Sequence, residues 1–161
     1  MTTITACLWF DGQAEEAARF YVDVFPDGRI DAIQRAASDN PSTAEGAVLT
    51  VEFSVGEQRF MALNGGPEYR FSEAVSFVID CVDQAEVDRY WAVLTADGGE
   101  PGPCGWCKDR FGLSWQVVPK RLDELLAGPD ADGARRAMQA MLGMSKLDVA
   151  ALEQAYEGGP A

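Results

Sequence analysis

Histidine does not occur in this chain. Its absence removes the commonest general base near neutral pH and the commonest ligand for transition metals. Basic side chains are scarce as well. Thirteen Lys and Arg stand against twenty-six Asp and Glu, a formal charge of −13, and the acids are scattered instead of gathered into a tail. Such a balance repels nucleic acid and anionic membrane, so neither is expected as a partner. Long apolar runs are missing too: stretches such as Ala47–Phe53 and Ala74–Ile79 have strand length, far below the roughly 18 residues of a membrane span. The opening Met-Thr-Thr-Ile-Thr-Ala has neither the basic n-region nor the apolar h-region of a secretory signal. A soluble, cytoplasmic protein is the expectation, with reduced thiols at Cys7, Cys81, Cys104 and Cys107.

What is present suffices for one substantial core. Of the 161 residues 47% are hydrophobic, including eight Phe, four Trp and four Tyr, and a single domain over 1–161 is expected. Thr3–Phe10 reads as a strand broken by Asp11-Gly12. Ala14, Ala17, Ala18, Tyr21 and Val22 then fall at helical spacing, with Glu15 and Glu16 where the helix dipole favours acids. Pro26-Asp27-Gly28 stops that helix, and strands are predicted over Arg29–Ala36, Ala47–Val55 and Gln58–Leu63, the last two joined by a tight turn at Gly56-Glu57. Ser38–Glu45 is a polar loop.

After Asn64-Gly65-Gly66-Pro67 the order begins again. A strand is predicted over Ala74–Cys81, a helix over Gln84–Thr95 and a closing strand over Leu113–Val118. At an offset of 70, Ala-Glu-Glu-Ala-Ala-Arg-Phe-Tyr lies over Gln-Ala-Glu-Val-Asp-Arg-Tyr-Trp, matching Glu16 with Glu86 and Arg19 with Arg89. Phe60–Leu63 likewise lies over Trp115–Val118, so a duplicated βαβββ unit is the reading. Module one spans 1–66, module two 70–119 and a helical tail 121–157. In the tail Leu122–Leu126 is a short helix, and Ala134, Ala137, Met138, Met141 and Leu142 mark a second. Ser145 with Asp148 resembles a capping box opening a third through Tyr156. These apolar helix faces must pack on the domain body or on another subunit.

Several segments together resemble a known family. They are Leu-Trp-Phe-Asp-Gly at 8–12, running into Glu-Glu-Ala-Ala-Arg-Phe-Tyr; Phe-Met-Ala-Leu-Asn-Gly-Gly-Pro at 60–67; Ser-Phe-Val-Ile at 76–79; Cys-Gly-Trp at 104–106; and Lys-Asp-Arg-Phe-Gly-Leu-Ser-Trp-Gln-Val-Val-Pro at 108–119. The chain resembles the vicinal oxygen chelate superfamily of glyoxalases and bleomycin-resistance proteins, in its PhnB-like branch, often labelled 3-demethylubiquinone-9 3-methyltransferase. The resemblance implies an α+β fold of two βαβββ modules forming an open cupped barrel, usually as a homodimer with ligand on the concave face. It also implies four metal-ligand positions, which fall at about Ala6, Met61, Ser76 (or Ala74) and Gln116. Amide, hydroxyl and thioether make a poor shell for a transition ion, so neither metal nor other cofactor is expected. The methyltransferase label is not expected to hold either: a nucleotide-like methyl donor on a Rossmann-type fold needs a glycine-rich turn between strand and helix, whereas Asn64-Gly65-Gly66-Pro67 precedes a loop.

Strand alternation sorts Ala6, Leu8 and Phe10 onto one face and Cys7 and Trp9 onto the other. By the resemblance the first set faces the cup, with Met61; core packing is the rival reading for Leu8 and Phe10. Ser76 and Gln116 are the candidate polar groups, able to orient a carbonyl or hydroxyl, and Asn64 stands at the mouth, where turn chemistry is the rival reading. Trp106, in a Gly- and Pro-rich segment, is expected as a loop-borne aromatic wall. Asp109 and Arg110 read as a solvated turn. Cys104-Gly105-Trp106-Cys107 is half a zinc site with no histidine to complete it, and it lacks the helix N-terminus that redox pairs use. The expected function is metal-independent binding of a small molecule. The alternatives are an enzyme working through Gln116 and Ser76, and a thiol protein working through Cys104 and Cys107.

Overall fold

The computed structural model describes residues 2–159. The chain divides between Phe71 and Ser72 into two compact units, and each builds the same sheet. In the first, β1 (Ala6–Phe10), α1 (Ala14–Val24), β2 (Gly28–Arg35), β3 (Val48–Val55) and β4 (Gln58–Asn64) give the order β1-β4-β3-β2. β1 runs parallel to β4 because α1 carries the chain across, and the other pairs are antiparallel. Gly56 makes the β3–β4 turn at φ +55, a left-handed value that suits glycine.

One face of this sheet is sealed by α1. Ala14, Ala17, Ala18 and Tyr21 are buried there. The Tyr21 ring stacks on Phe53 at 5.8 Å, and Phe53 stacks on Phe60 at 5.0 Å. Burying each such ring contributes about 2–3 kcal/mol. Leu8 pairs with Ala62 and Phe10 with Asn64, and all four are buried. Leu8 and Phe10 therefore lie on the helix side, and the expectation that Ala6, Leu8 and Phe10 face the cup is corrected. The physical reason is register. Ala6 and Leu8 sit opposite Phe60 and Ala62, and a period of two cannot turn them from the face those residues share. Cys7 and Trp9, opposite Met61 and Leu63, occupy the face away from α1.

The second unit repeats the plan. β5 (Ser76–Cys81), α2 (Gln84–Leu94), β6 (Glu100–Pro101), β7 (Trp106–Lys108) and β8 (Ser114–Pro119) give the order β5-β8-β7-β6. Asp83 caps α2 by accepting from the Glu86 N–H at 2.9 Å, and Glu86 accepts in return from the Val82 N–H at 2.9 Å. Val87, Tyr90 and Leu94 are buried with Ile79, Cys81, Trp115 and Val117 on the α2 side. β6 falls within the Gly- and Pro-rich segment before Trp106, and Trp106 itself begins β7 instead of riding on a loop. Cys104 (φ +56) and Gly105 (φ +83) turn the chain between the two strands. A Cβ at Gly105 would stand 2.9 Å from the Val117 carbonyl oxygen and 3.0 Å from Leu147, so glycine is required twice over, by conformation and by space.

The tail forms α3 (Lys120–Leu126), α4 (Ala131–Leu142) and α5 (Val149–Glu157). Leu122, Leu125, Ala137, Leu147 and Leu152 make its core, and Val118 of β8 packs against them. The helices thus bury much of their apolar faces on one another and on the second sheet, though Met138 and Leu142 of α4 stay exposed. Asp148, not Ser145, caps α5, accepting from the Ala151 N–H at 2.9 Å. Ser145 is engaged elsewhere: its hydroxyl donates to the Gly102 carbonyl at 2.7 Å and its own carbonyl accepts from the Gly105 N–H at 2.7 Å. Among the described residues, no helix is long and apolar enough to cross a membrane.

Candidate functional site

Alternation in the second sheet sends Ser76, Val78 and Asp80 of β5 to the face away from α2, together with Trp106 and Lys108 of β7 and Ser114, Gln116 and Val118 of β8. Gln116 is flanked by Val78 on one side and Trp106 on the other. Its Nε2 donates to the Ser76 hydroxyl oxygen at 2.9 Å. That bond leaves the Ser76 O–H as a donor and the Gln116 Oε1 as an acceptor, side by side. Gln116, but not Ser76, lines a cleft of about 280 Å³. Val78, Trp106 and Val118 supply apolar wall from the sheet, while Leu122 and Met141 supply it from α3 and α4. Val78 is 55% exposed, an unusual state for a mid-strand valine.

Of the expected residues, Trp106 and Gln116 line this cleft, and Ser76 reaches it only through its hydrogen bond to Gln116. Trp106 stands on strand β7 and not on a loop. Met61 belongs to the first unit, on the face away from α1, in register with Cys7 and Glu52. Leu8 and Phe10 are core, and the Phe10 ring meets Phe71 edge-on at 5.4 Å. Asn64 is buried and lines a separate cleft of the first unit with Ser42, Thr43 and Val48. Its Oδ1 accepts from the Ala14 N–H at 2.9 Å and its Nδ2 donates to the Val48 carbonyl at 2.9 Å, which ties the start of α1 to the sheet.

One polar feature had no expectation attached, and a second differs from its expectation. On the first sheet, the Ser54 hydroxyl donates to Asp31 at 2.5 Å and Arg29 Nε donates to the same carboxylate at 2.9 Å, with an Arg59–Glu52 ion pair at 3.6 Å. The Ser54 hydrogen bond, aided by the Arg29 and Arg59 charges, holds the Asp31 carboxyl below the usual range. Asp31 is the extra residue of a bulge in the β2–β3 pairing, which strand propensity does not reveal. Asp109, read as a solvated turn, is 2% exposed. It accepts from Trp115 Nε1 at 2.8 Å and from the N–H groups of Phe111 and Leu113 at 2.9 and 3.1 Å, so it is a structural anchor.

All four cysteines are free thiols. Burial, with a contribution from the Asp109 carboxylate, pushes the Cys107 thiol up to about 12, and burial raises Cys81 similarly, to about 12. A thiol in that range is a poor nucleophile at neutral pH. The donor set fits a metal badly. The face away from α1 presents Cys7, not Ala6, beside the Met61 thioether, and the second sheet presents a hydroxyl and an amide already bonded to each other. Among the described residues, no three His, Cys, Asp or Glu side chains gather as ligands would.

A family model described as 3-demethylubiquinone-9 3-methyltransferase matches residues 2–118. The chain belongs to that family. A PhnB protein from Bacillus cereus, described under the same 3-demethylubiquinone-9 3-methyltransferase heading, is similar in structure at 29% identity. The alignment covers 73% of this chain and 99% of that one, with a TM-score of 0.63. Protein PA1353 from Pseudomonas aeruginosa shares the fold at 24% identity, over 74% of this chain and 98% of its own, with a TM-score of 0.58. No curated protein matches. The 3-demethylubiquinone-9 3-methyltransferase family match ends at Val118, so α3 to α5, which lend Leu122 and Met141 to the cleft, lie beyond it.

Proposed function

We propose that this chain binds a small organic ligand of mixed polarity in the cleft of its second unit, without a metal, and that it works as a cytoplasmic homodimer. The Gln116–Ser76 hydrogen bond carries the reading. It fixes the Gln116 amide so that Oε1 is left to accept among apolar walls, the usual make-up of a small-molecule pocket. The exposed apolar side chains Val75 and Val82, which flank edge strand β5, support pairing with a second copy.

The family label carries methyl transfer as its rival. Against it, Gly65 and Gly66 follow β4 and lead into turn and extended residues instead of a helix, so the strand–glycine turn–helix cradle for a nucleotide-like methyl donor is missing there. An enzymatic reading keeps one supporting observation: the Asp80 and Asp123 carboxylates line the same cleft as Gln116 and could handle a proton.

A thermal-shift screen of small polar organic compounds, repeated on Gln116→Ala and Ser76→Ala, tests the site. Each variant is expected to weaken hits about tenfold, the loss of one good hydrogen bond. Hits indifferent to both variants would move the site elsewhere. Stoichiometric zinc, manganese or iron in purified protein would overturn the metal-free reading, and a monomer in sedimentation analysis would overturn the dimer.

A further inference from the structure

A second cavity in the same unit, of about 380 Å³, shares Trp106 with the first. We propose that it is a site for a flat organic cation, one ring bearing an N–H-donating head such as an amidinium or ammonium group. Pro101, Pro103 and Trp106 line it with rigid apolar surface. Ser114 lines it as well. The Ser114 side chain is 1% exposed, and its hydroxyl oxygen is buried without a hydrogen-bond partner.

A buried hydroxyl left unsatisfied is costly, and native proteins seldom keep one without a use. Strand alternation turns Ser114 to the side of Trp106's neighbour Gln116, with Lys108 directly across the β7–β8 pair. Charge selects the ligand class. Lys108 Nζ is already paired with Glu73 at 2.6 Å. Glu100 sits opposite Lys108 across the β6–β7 pair and lines the same cavity. Two carboxylates against one ammonium leave one negative charge over, inside a chain of net charge −13. A cationic head placed between Glu100 and Ser114 satisfies both, the carboxylate by charge and the hydroxyl oxygen by accepting an N–H hydrogen bond. The ring then lies on the indole, where a cation–π or stacking contact adds to the burial of apolar area. Apart from Trp106, none of these side chains belongs to the Gln116–Ser76 cleft.

Benzamidinium, benzamide and benzoate have nearly one shape and three charges, and titrating each by protein-observed NMR separates the possibilities. Benzamidinium is expected to bind best and benzoate at least about tenfold more weakly, a gap of ~1.4 kcal/mol. Ser114→Ala is expected to weaken benzamidinium several-fold while leaving the thermal midpoint at or above wild type, because it deletes an unpartnered hydroxyl. Glu100→Gln is expected to abolish the preference for benzamidinium over benzamide. Gln116→Ala and Ser76→Ala are expected to change none of this, so the two clefts stand or fall separately. The proposal is overturned by any of four results: no benzamidinium binding at up to about 10 mM; benzoate binding best, which would mean that Lys108 gives up Glu73 for the ligand; wild-type affinity in Ser114→Ala; or loss of benzamidinium binding in Gln116→Ala.

Discussion

Asp109 holds three donors with one carboxylate: two backbone N–H groups of the turn that feeds β8 and the Trp115 indole on β8 itself. Replacing it with alanine leaves those donors buried and unmet, so Asp109→Ala is expected to cost about 3 kcal/mol by urea denaturation. Asp-Arg-Phe-Gly announces a turn in the sequence. It does not announce that the next strand will place an indole over the carboxylate, and that long-range contact decides burial. Gln116 and Ser76, by contrast, were named through the resemblance, and the register sets them diagonally on one face of the neighbouring strands β8 and β5. Leu8 and Phe10 were half legible: alternation grouped them correctly with each other, but which group meets the helix depends on the register with β4. The thiols give a second residue-scale expectation. Burial raises the folded-state pKa of Cys81 and Cys107 from the ordinary thiol value near 9 to about 12. They favour the folded state fully below pH 9, and that contribution is lost as pH rises toward 12, where the unfolded chain ionises first. Iodoacetamide at pH 8 is therefore expected to label exposed Cys7 while sparing Cys81 and Cys107. Mass spectrometry reads the sites, and early labelling of Cys107 would revive the thiol reading.

At the scale of elements, the helices and long strands were legible because their periodicities are long enough to read: α1 and α2 begin and end within a residue or two of expectation. β6 and β7 were not, since two or three residues carry no periodic signal and Gly98 to Gly105 reads as loop. Their geometry comes from the tail. The Met144 and Ser145 carbonyls accept from the Cys104 and Gly105 N–H groups at 2.8 and 2.7 Å, and Leu147 packs against Gly105. Leu147→Ala is expected to cost about 2–5 kcal/mol and to speed hydrogen exchange at the Cys104 and Gly105 amides beyond the change at β3. Uniform acceleration across both units would mean that the tail does not brace this turn. Gly105→Ala is expected to be destabilising by about 1–3 kcal/mol through its left-handed φ, with the same local exchange signature.

On the scale of the molecule, the charge of −13 and the shortage of cations dominate. Most of the ion pairs lie at the surface, where each contributes little. Screening should therefore relieve more repulsion than it costs in attraction. The thermal midpoint is expected to rise between about 20 and 500 mM NaCl, as the Debye length falls below the spacing of the acids; a midpoint that drops with salt would show that the pairs matter more than the excess charge.

The two sheets share one strand order, yet their uncovered faces no longer say the same thing. One carries Arg29, Asp31, Glu52 and Arg59 in an ionic weave, and the other carries a neutral Ser76–Gln116 couple under a helical awning. Tandem duplication explains how this can happen. The helix-covered faces are held to a common pattern by packing, so selection keeps the halves alike there. The bare faces escape that constraint, and mutation can rewrite one without unfolding the other. A chain of this design can change what it recognises by drift in half of itself.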